Sequence, residues 1–509
     1  MTKICYAKGP IIYLYDRTAP EKKRSKRKKQ LLWGDWLRVG DPINADWFEV
    51  KWGKQKFAIH KDDFQEERLL EIIFLDVGQG DGCILTTPGV GDDEKIMIVD
   101  AGDRDNMMRF LNWRFRDFKT QFKFHAAIVT HPDADHYRGF QPIFEHENIA
   151  FEKIYHNGIV ERKAPKKKLR LGAIEDGFVT DLRPDTDSLR ELLKIKDNRG
   201  STHYPKLMWT ALENGRADSI EMLSTKHSIQ EEGKGWLPGF APSDNPELTI
   251  EILGPVVQKA PNGKDGLRIF GKTFSSRSMD NGKTKNGHSV LMRLRYRDLN
   301  VLFGGDLNSP AETFLTRHYG NDGKKPTRAQ IPGMVKRASE RFSVDLMKCC
   351  HHGSSDVTEE FLESASPAAY VVSSGDQESH VHPRPDLLGL LGRKGRGDRP
   401  LILCTEVLRS TREKEDPELR PKLDKIKEKL LKEEDEEKID DLEKERDTIL
   451  DLLFKRNVGV YGAINLRTDG RRAVVAFRNE KGSDTNRWFY YEMEKDPATG
   501  QMLPKAAGH

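Results

Sequence analysis

The chain reads as α/β, with a small all-β unit at its front and a charged helical hairpin inserted near its end. Three observations carry that class. Residues 1–64 hold short aromatic and β-branched runs separated by Gly, Asp, Pro and Asn turn signals. From Glu71 onward, apolar runs of strand length end repeatedly in Gly- and Asp-rich turns and alternate with helical stretches. Residues 412–456 form a dense Lys/Glu run whose apolar positions recur at helical spacing. With 36% hydrophobic and 33% charged content over 509 residues, part of the chain must be solvated helix or loop rather than core.

In the front unit, strands are expected at 11–15, 36–39, 47–52 and 56–59. The Gly34-Asp35-Trp36 and Asp46-Trp47 turns, with their tryptophan-rich spacing, resemble a bacterial SH3-like barrel. Lys22, Lys23, Arg24, Lys26, Arg27, Lys28 and Lys29 crowd into eight positions, read as a mobile hairpin loop. A second unit is expected over 66–495. In it, 72–75 leads into Asp76-Val77-Gly78-Gln79-Gly80-Asp81-Gly82, and 95–99 leads to Asp100-Ala101-Gly102. A helix follows at 107–118, then the strand 126–129. Residues 157–246 are polar and rich in Gly and Pro, and read as an insertion or lid rather than a second core. Strands return at 248–253, 289–294 and 301–303. The late hairpin carries Leu423, Ile426, Leu430, Ile439, Leu442, Ile449 and Leu452 on its inner faces, hinged near 433–437. Strands turning at Asp469-Gly470 close the chain over 458–491.

No apolar stretch reaches the eighteen or so residues of a membrane span, and the start of the chain lacks a signal-peptide core. The five cysteines are odd in number and show no CxxC spacing; Cys349 and Cys350, adjacent in a β-like run, suit reduced buried thiols. A soluble, cytosolic protein with no membrane partner is the expectation.

The chemistry concentrates in Thr130-His131-Pro132-Asp133-Ala134-Asp135-His136, where two histidines and two aspartates directly follow a short strand. Residues i and i+2 of an extended segment project to one side, so His131 and Asp133 can share one metal ion. Asp135 and His136, beyond the bend, face a second. Imidazole with carboxylate suits zinc, manganese or iron, and paired ions about 3.5–4 Å apart hydrolyse phosphoryl or acyl bonds. Three later strand ends also carry such groups: Asp306 in Gly304-Gly305-Asp306-Leu307, His351-His352 in 348–354, and His380 with His382 before Pro383.

Taken in order, these motifs resemble the metallo-β-lactamase superfamily, and more narrowly the branch that includes the hydrolase domain of the competence protein ComEC. The motifs are His-x-Asp-x-Asp-His, Asp-Val-Gly-Gln-Gly-Asp, Val-Asp-Ala-Gly, Gly-Gly-Asp-Leu, Lys-x-x-His-His-Gly-Ser and His-Pro-x-Pro. The resemblance spans 71–390 and extends to the closing strands. It implies an αββα sandwich with a two-metal site at one edge, holding zinc or manganese. It implies His131 and Asp133 on one ion, Asp135 and His136 on the other, Asp306 bridging, and His352 completing the shell with His351 facing substrate. Asp100 would orient a ligand histidine, with Asp76 and Asp81 as candidates for the same support. Asp135 would orient the attacking water, and His351 or His382 would donate to the oxyanion or the leaving group. Gly82 departs from the small hydroxyl or alanine usual in the branch, and the membrane helices of ComEC are missing, so uptake across a membrane is not implied. His288 sits where other branches place a further ligand; a satisfied surface histidine is the preferred reading there.

Gly266 to Thr273 satisfies the Walker A spacing, but its intervening residues are bulky and no apolar helix follows, so a phosphate loop is rejected. The basic segments 22–29, 162–170 (with Lys166, Lys167 and Lys168) and 393–396 suit a phosphodiester backbone, and the expected activity is a nuclease acting on DNA. Two alternatives stand beside it. One is a small-ester hydrolase of the phosphocholine esterase or lactonase kind. The other is a catalytic subunit that works only when partner proteins dock on its barrel and helical hairpin.

Overall fold

The structure is a computed structural model. It describes residues 2–505 apart from 19, 53–54, 79, 116–117, 164–169, 201–202, 272–279, 376–380, 406–417, 451–461, 480–482 and scattered positions within 431–450. Lys166, Lys167, Lys168, His380, Ile439 and Leu452 thus lie outside the described residues, as does the end of the rejected Walker-like run.

The front unit is a seven-stranded antiparallel sheet in the order Arg27–Leu32, Ile11–Tyr15, Gln55–His60, Trp47–Trp52, Trp36–Pro42, Lys3–Ala7, Phe64–Gln65. Alternating residues Leu14, Leu31, Leu37, Val50 and Ile59 fill its core. The cationic run is not the expected mobile loop. Arg24–Lys26 is one 3-10 turn, and Arg27 onward is strand. Side chains packed nearby hold these cations: Arg27 lies 3.9 Å above the Tyr13 ring of the adjacent strand, Lys29 4.9 Å above Trp52, and Lys22 pairs with Asp63 at 2.7 Å.

A mixed sheet follows, ten-stranded among the described residues, with Ala217–Met222, Ile149–His156, Phe122–Val129 and Ile96–Ala101 as its parallel part. A second mixed sheet, eight-stranded among the described residues, has Leu299–Phe303, Leu346–Lys348, Ala369–Val372 and Leu401–Cys404 as its parallel part. Phe74, Leu85, Val99 and Ile128 of the first share one core with Ile250, Met292, Val301 and Val371 of the second. The Phe74 and Phe303 rings meet across that core at 6.2 Å. Other residues of the first sheet pack on helices Asn106–Phe115, Thr186–Lys194 and His203–Glu213. Those of the second pack on Ser309–Asn321, Ile331–Phe342, Glu359–Ala365 and Pro385–Lys394. Strands buried on both faces explain why 70–74, 96–101 and 299–303 read as nearly unbroken apolar runs.

Residues 157–246 depart from the irregular lid expected of them. They supply the two helices Thr186–Lys194 and His203–Glu213, an edge strand of the first sheet, and the strands Ile229–Glu231 and Lys234–Trp236 of the second. Their apolar residues are sparse but aligned: Leu189 and Leu193 on one helix, Leu207 and Met208 on the next, all buried. Of the late hairpin, helix Leu419–Leu430 is described, with Leu423 and Ile426 packed against Ile449. All five cysteines are buried, and none is in a disulfide among the described residues. Among the described residues, no helix is long and apolar enough to cross a membrane.

The front unit is seated on the first sheet. Leu32 and Trp33 pack with Val474, Ala476 and Trp488. Arg467 reaches the Trp33 carbonyl at 3.4 Å and pairs with Glu71 at 3.0 Å, which also takes Arg114 at 2.6 Å. Burial alone would raise the Glu71 carboxyl, but the two guanidinium groups outweigh it and bring it down to about 2.

Glu312 is the opposite case. Fully buried on helix Ser309–Asn321, it accepts from the Thr358 backbone and hydroxyl, yet burial dominates and pushes its carboxyl up to about 8. A carboxyl that holds its proton more tightly when folded contributes full stability below its ordinary value near 4.5 and loses it as pH rises through 8. Denaturant unfolding is therefore expected to show a decline across that window, on the order of 5 kcal/mol at most. Glu312→Gln should flatten it, and a curve that stays parallel to wild type would refute this assignment.

Candidate metal centre

The parallel strands of both sheets run toward one edge, and their C-terminal ends carry the titratable groups. Phe122–Val129 ends in the 130–136 turn, Leu299–Phe303 runs into Asp306, and Leu346–Lys348 runs into His351 and His352. The Val290 backbone donates to the Thr130 carbonyl at 2.9 Å, and the Asn157 amide to the His288 carbonyl at 3.0 Å, tying the sheets together there.

Three buried imidazoles converge on the Asp306 carboxylate. His136 Nε2 lies 3.1 Å and His352 Nε2 3.3 Å from Asp306 Oδ1, with 3.3 Å between the two nitrogens. His131 Nε2 lies 3.9 Å from Asp306 Oδ2. All four side chains are essentially buried. The far nitrogen of each ring has a polar partner beside it. His136 Nδ1 meets Asp100 at 2.8 Å, and His131 Nδ1 meets the Thr130 hydroxyl at 3.1 Å and the Ser289 hydroxyl at 3.3 Å, while His352 Nδ1 lies 3.0 Å from Asp81 as a close charge contact rather than an aligned hydrogen bond. A ring whose Nδ1 proton is engaged in this way turns its Nε2 lone pair inward, as metal ligation requires.

Asp100 adopts φ +54, a left-handed conformation costly outside glycine, and is fixed by the Thr130 amide at 2.8 Å and hydroxyl at 2.7 Å. His351 and His352 are also left-handed in succession, at φ +49 and +53. That double bend leaves His352 buried and pointing at Asp306, while His351 stays 28% exposed with its Nε2 3.8 Å from Asp306 Oδ2. The His382 ring lies beside the pair, 5.9 Å from His351 and 6.5 Å from His352. Asp135 brings Oδ2 to 3.4 Å from His352 Nε2 and Oδ1 to 4.0 Å from His136 Nε2.

Asp81, His136, Asp306 and His352 each offer a ligand atom within 4.8 Å of the others. Asp81 nonetheless approaches His352 at its outer nitrogen, and its second oxygen takes the ammonium of Lys348. It is placed to orient His352 rather than to join it. The strongest sign that these residues fit a cation is that His131 Nε2 and Asp306 Oδ1 are buried with polar neighbours within 4 Å but with none aligned as a hydrogen bond. Such orphaned atoms cost free energy unless something else engages them.

The electrostatics fit a cation too. Burial lowers His136, but Asp306 and Asp100 outweigh it and hold the imidazole well above its usual value; Asp306 and Asp81 do the same for His352. Burial together with the neighbouring His136 keeps His131 well below its usual value. Burial would raise Asp306, but His136 and His352 reverse that and hold it far below the ordinary carboxylate range. Protons on His136 and His352 would give way to a cation, so uptake should release protons and weaken in acid.

Two expected site residues are placed elsewhere. Asp133 does not face His131: its Oδ1 caps the helix Ala134–Tyr137 through the Ala134 amide at 3.0 Å and takes Lys285 at 3.1 Å. A helix start turns that side chain outward, which the i, i+2 rule for strands does not anticipate. Asp76 accepts from the Gly78 amide at 3.1 Å, closing its own turn. His288 is not a surface residue: it is buried, stacked near Phe270, with Nε2 2.6 Å from the Arg268 carbonyl, and burial brings it down to about 4. Thr130, Ser289, Lys285 and Lys348 were not among the expected site residues. Lys348 alone carried a signal, standing three positions before His351 in an otherwise apolar strand.

Gly80 keeps the turn close. At φ +105, a Cβ there would lie 1.7 Å from the Asp135 carbonyl oxygen. Gly80→Ala is expected to cost about 2 kcal/mol or more and to weaken metal uptake, because the 130–136 turn must move. Thermal unfolding with and without added zinc measures both, and a variant matching wild type in each would count against this packing.

Comparison with models of known protein families and with curated proteins finds no match for this chain.

Proposed function

We propose that the chain is a metal-dependent hydrolase of phosphodiester bonds, built on the metallo-β-lactamase αββα sandwich with an SH3-like barrel in front. The observation that carries the reading is the convergence of three buried imidazoles on Asp306, each with a carboxylate or hydroxyl beside its far nitrogen. His131, His136, His352 and Asp306 would hold the metal, zinc or manganese, with Asp135 alongside. A divalent cation in such a site supplies Lewis acidity and an acidified water. Asp135, at the edge of the cluster, accepts a hydrogen bond from the attacking water and aligns it. His351, partly exposed and facing Asp306, donates to the oxygen on which negative charge develops. His382, in ring contact with His351, protonates the leaving oxygen. Asp100 and Asp81 hold their histidines in one tautomer and orientation throughout.

The test is incubation of the protein with supercoiled, linear and single-stranded DNA under zinc and under manganese. The double substitution Asp135→Ala with His136→Ala is the control. Cutting that needs metal and disappears in the control is the expected result. Full metal occupancy without cutting would sink the reading and favour a small-ester hydrolase or a partner-dependent subunit.

A further inference from the structure

A pocket of about 640 Å³ opens beside the metal turn, its wall shared with Pro132, Asp133 and Ala134. That volume falls within the range of small-molecule sites. Five cationic side chains line it (Arg162, Lys163, Arg170, Arg199 and Lys285) against two carboxylates, Asp133 and Glu161, an excess of three positive charges. The excess is unevenly placed. Buried Lys285 spends its ammonium on Asp133 at 3.1 Å and Glu161 at 2.7 Å, which pins the pocket to the metal turn. Arg162 is paired with Asp181. Arg170 shares Glu161 at 2.8 Å with its side chain half exposed, and Arg199 lies over the Trp209 ring at 4.6 Å. Among the described residues, Lys163 and Arg199 are the lining cations with no carboxylate partner, and half-exposed Arg170 has only a share of Glu161, so these three are the cations best placed to meet a ligand beside the 130–136 turn.

We infer that this pocket is a subsite for a second phosphate of the substrate, adjacent to the one over the histidine cluster, so that the preferred substrate carries phosphates in succession along a single nucleic-acid strand. The inference rests on the phosphodiesterase reading and goes beyond it by naming what flanks the scissile bond. A guanidinium offers paired donors to a phosphate, and Lys285 fixes the spacing between subsite and metal turn by holding Asp133 on one side and Glu161 on the other. An ester with no further anion would leave these cations unused.

The experiment compares the full-length wild type with Arg170→Glu/Arg199→Glu and with the charge-keeping Arg170→Lys/Arg199→Lys. Fluorescence anisotropy follows a labelled single-stranded oligonucleotide across a salt series, calorimetry follows pyrophosphate, and cutting is assayed in parallel. Circular dichroism checks that each variant is folded. The expected result is a loss of oligonucleotide affinity of at least about tenfold in the glutamate variant, a salt slope shallower by about two, and retention in the lysine variant. Unchanged affinity and unchanged cutting in the glutamate variant would overturn the subsite while leaving the phosphodiesterase reading intact. Pyrophosphate binding lost by that variant, with no oligonucleotide binding by wild type, would overturn the strand and assign the pocket to a small phosphorylated compound. Wild type that binds oligonucleotide through these arginines but cuts no phosphodiester would support the subsite and refute the activity on which it was built.

Discussion

Asp306→Asn is expected to abolish divalent-metal uptake, with affinity falling by more than about a hundredfold. Substitution of groups that merely orient a ligand costs about 10–100-fold, and Asp306 is the carboxylate on which three imidazoles converge. Asparagine keeps the shape but removes the charge that balances His136 and His352. The measurement is metal content after dialysis against zinc, together with the zinc-induced rise in melting temperature. A companion variant sharpens it. Asp133→Asn should keep nearly all of its metal, because Asp133 faces Lys285 and caps a helix. If Asp306→Asn binds metal like wild type, or if Asp133→Asn is the variant that loses it, the centre described above is wrong.

Lys348→Met is expected to be the most destabilising single change near the site. Lys348 is buried, its ammonium paired with Asp81 and 3.4 Å from the Gly305 carbonyl. Burial favours the neutral amine, but Asp81 and Asp306 outweigh it and hold Lys348 above its usual value, so the pair is ionised. Removing the ammonium leaves the buried Asp81 carboxylate with His352 alone beside it among the described residues, and breaking such a buried pair typically costs about 3–5 kcal/mol, a large share of an ordinary domain's stability. The double variant Lys348→Met/Asp81→Leu removes both charges and should recover part of that loss. Urea unfolding of the three proteins measures the coupling. A single variant no less stable than the double would show that the pair is not a closed charge balance.

The site was legible where its chemistry is local. A histidine or aspartate directly after an apolar run is visible without coordinates, which is why His131, His136, Asp306 and His352 could be named from the chain alone. What was not legible depends on partners far away in sequence. Lys285 turns Asp133 outward from 152 positions further on, and Lys348 meets Asp81 across 267. Such pairings leave no periodicity. The fold follows the same division. Buried parallel strands announce themselves as apolar runs. The helices of 186–194 and 203–213 cover one sheet with few apolar residues each, and so blend into the polar stretch around them.

The seat of the front unit bears on how the whole molecule melts. Trp33 is buried against Val474 and Ala476, while Arg467 contacts the Trp33 carbonyl on one side and Glu71 of the first sheet on the other. Neither body can open without stripping a charge or an indole from its partner. Modules joined only by a linker would give separate melting steps. Here calorimetry should record one cooperative transition, with calorimetric and van't Hoff enthalpies in agreement, and two resolved peaks would contradict it. A front unit bound this way does not swing, and its surface is held at a constant bearing from the 130–136 turn.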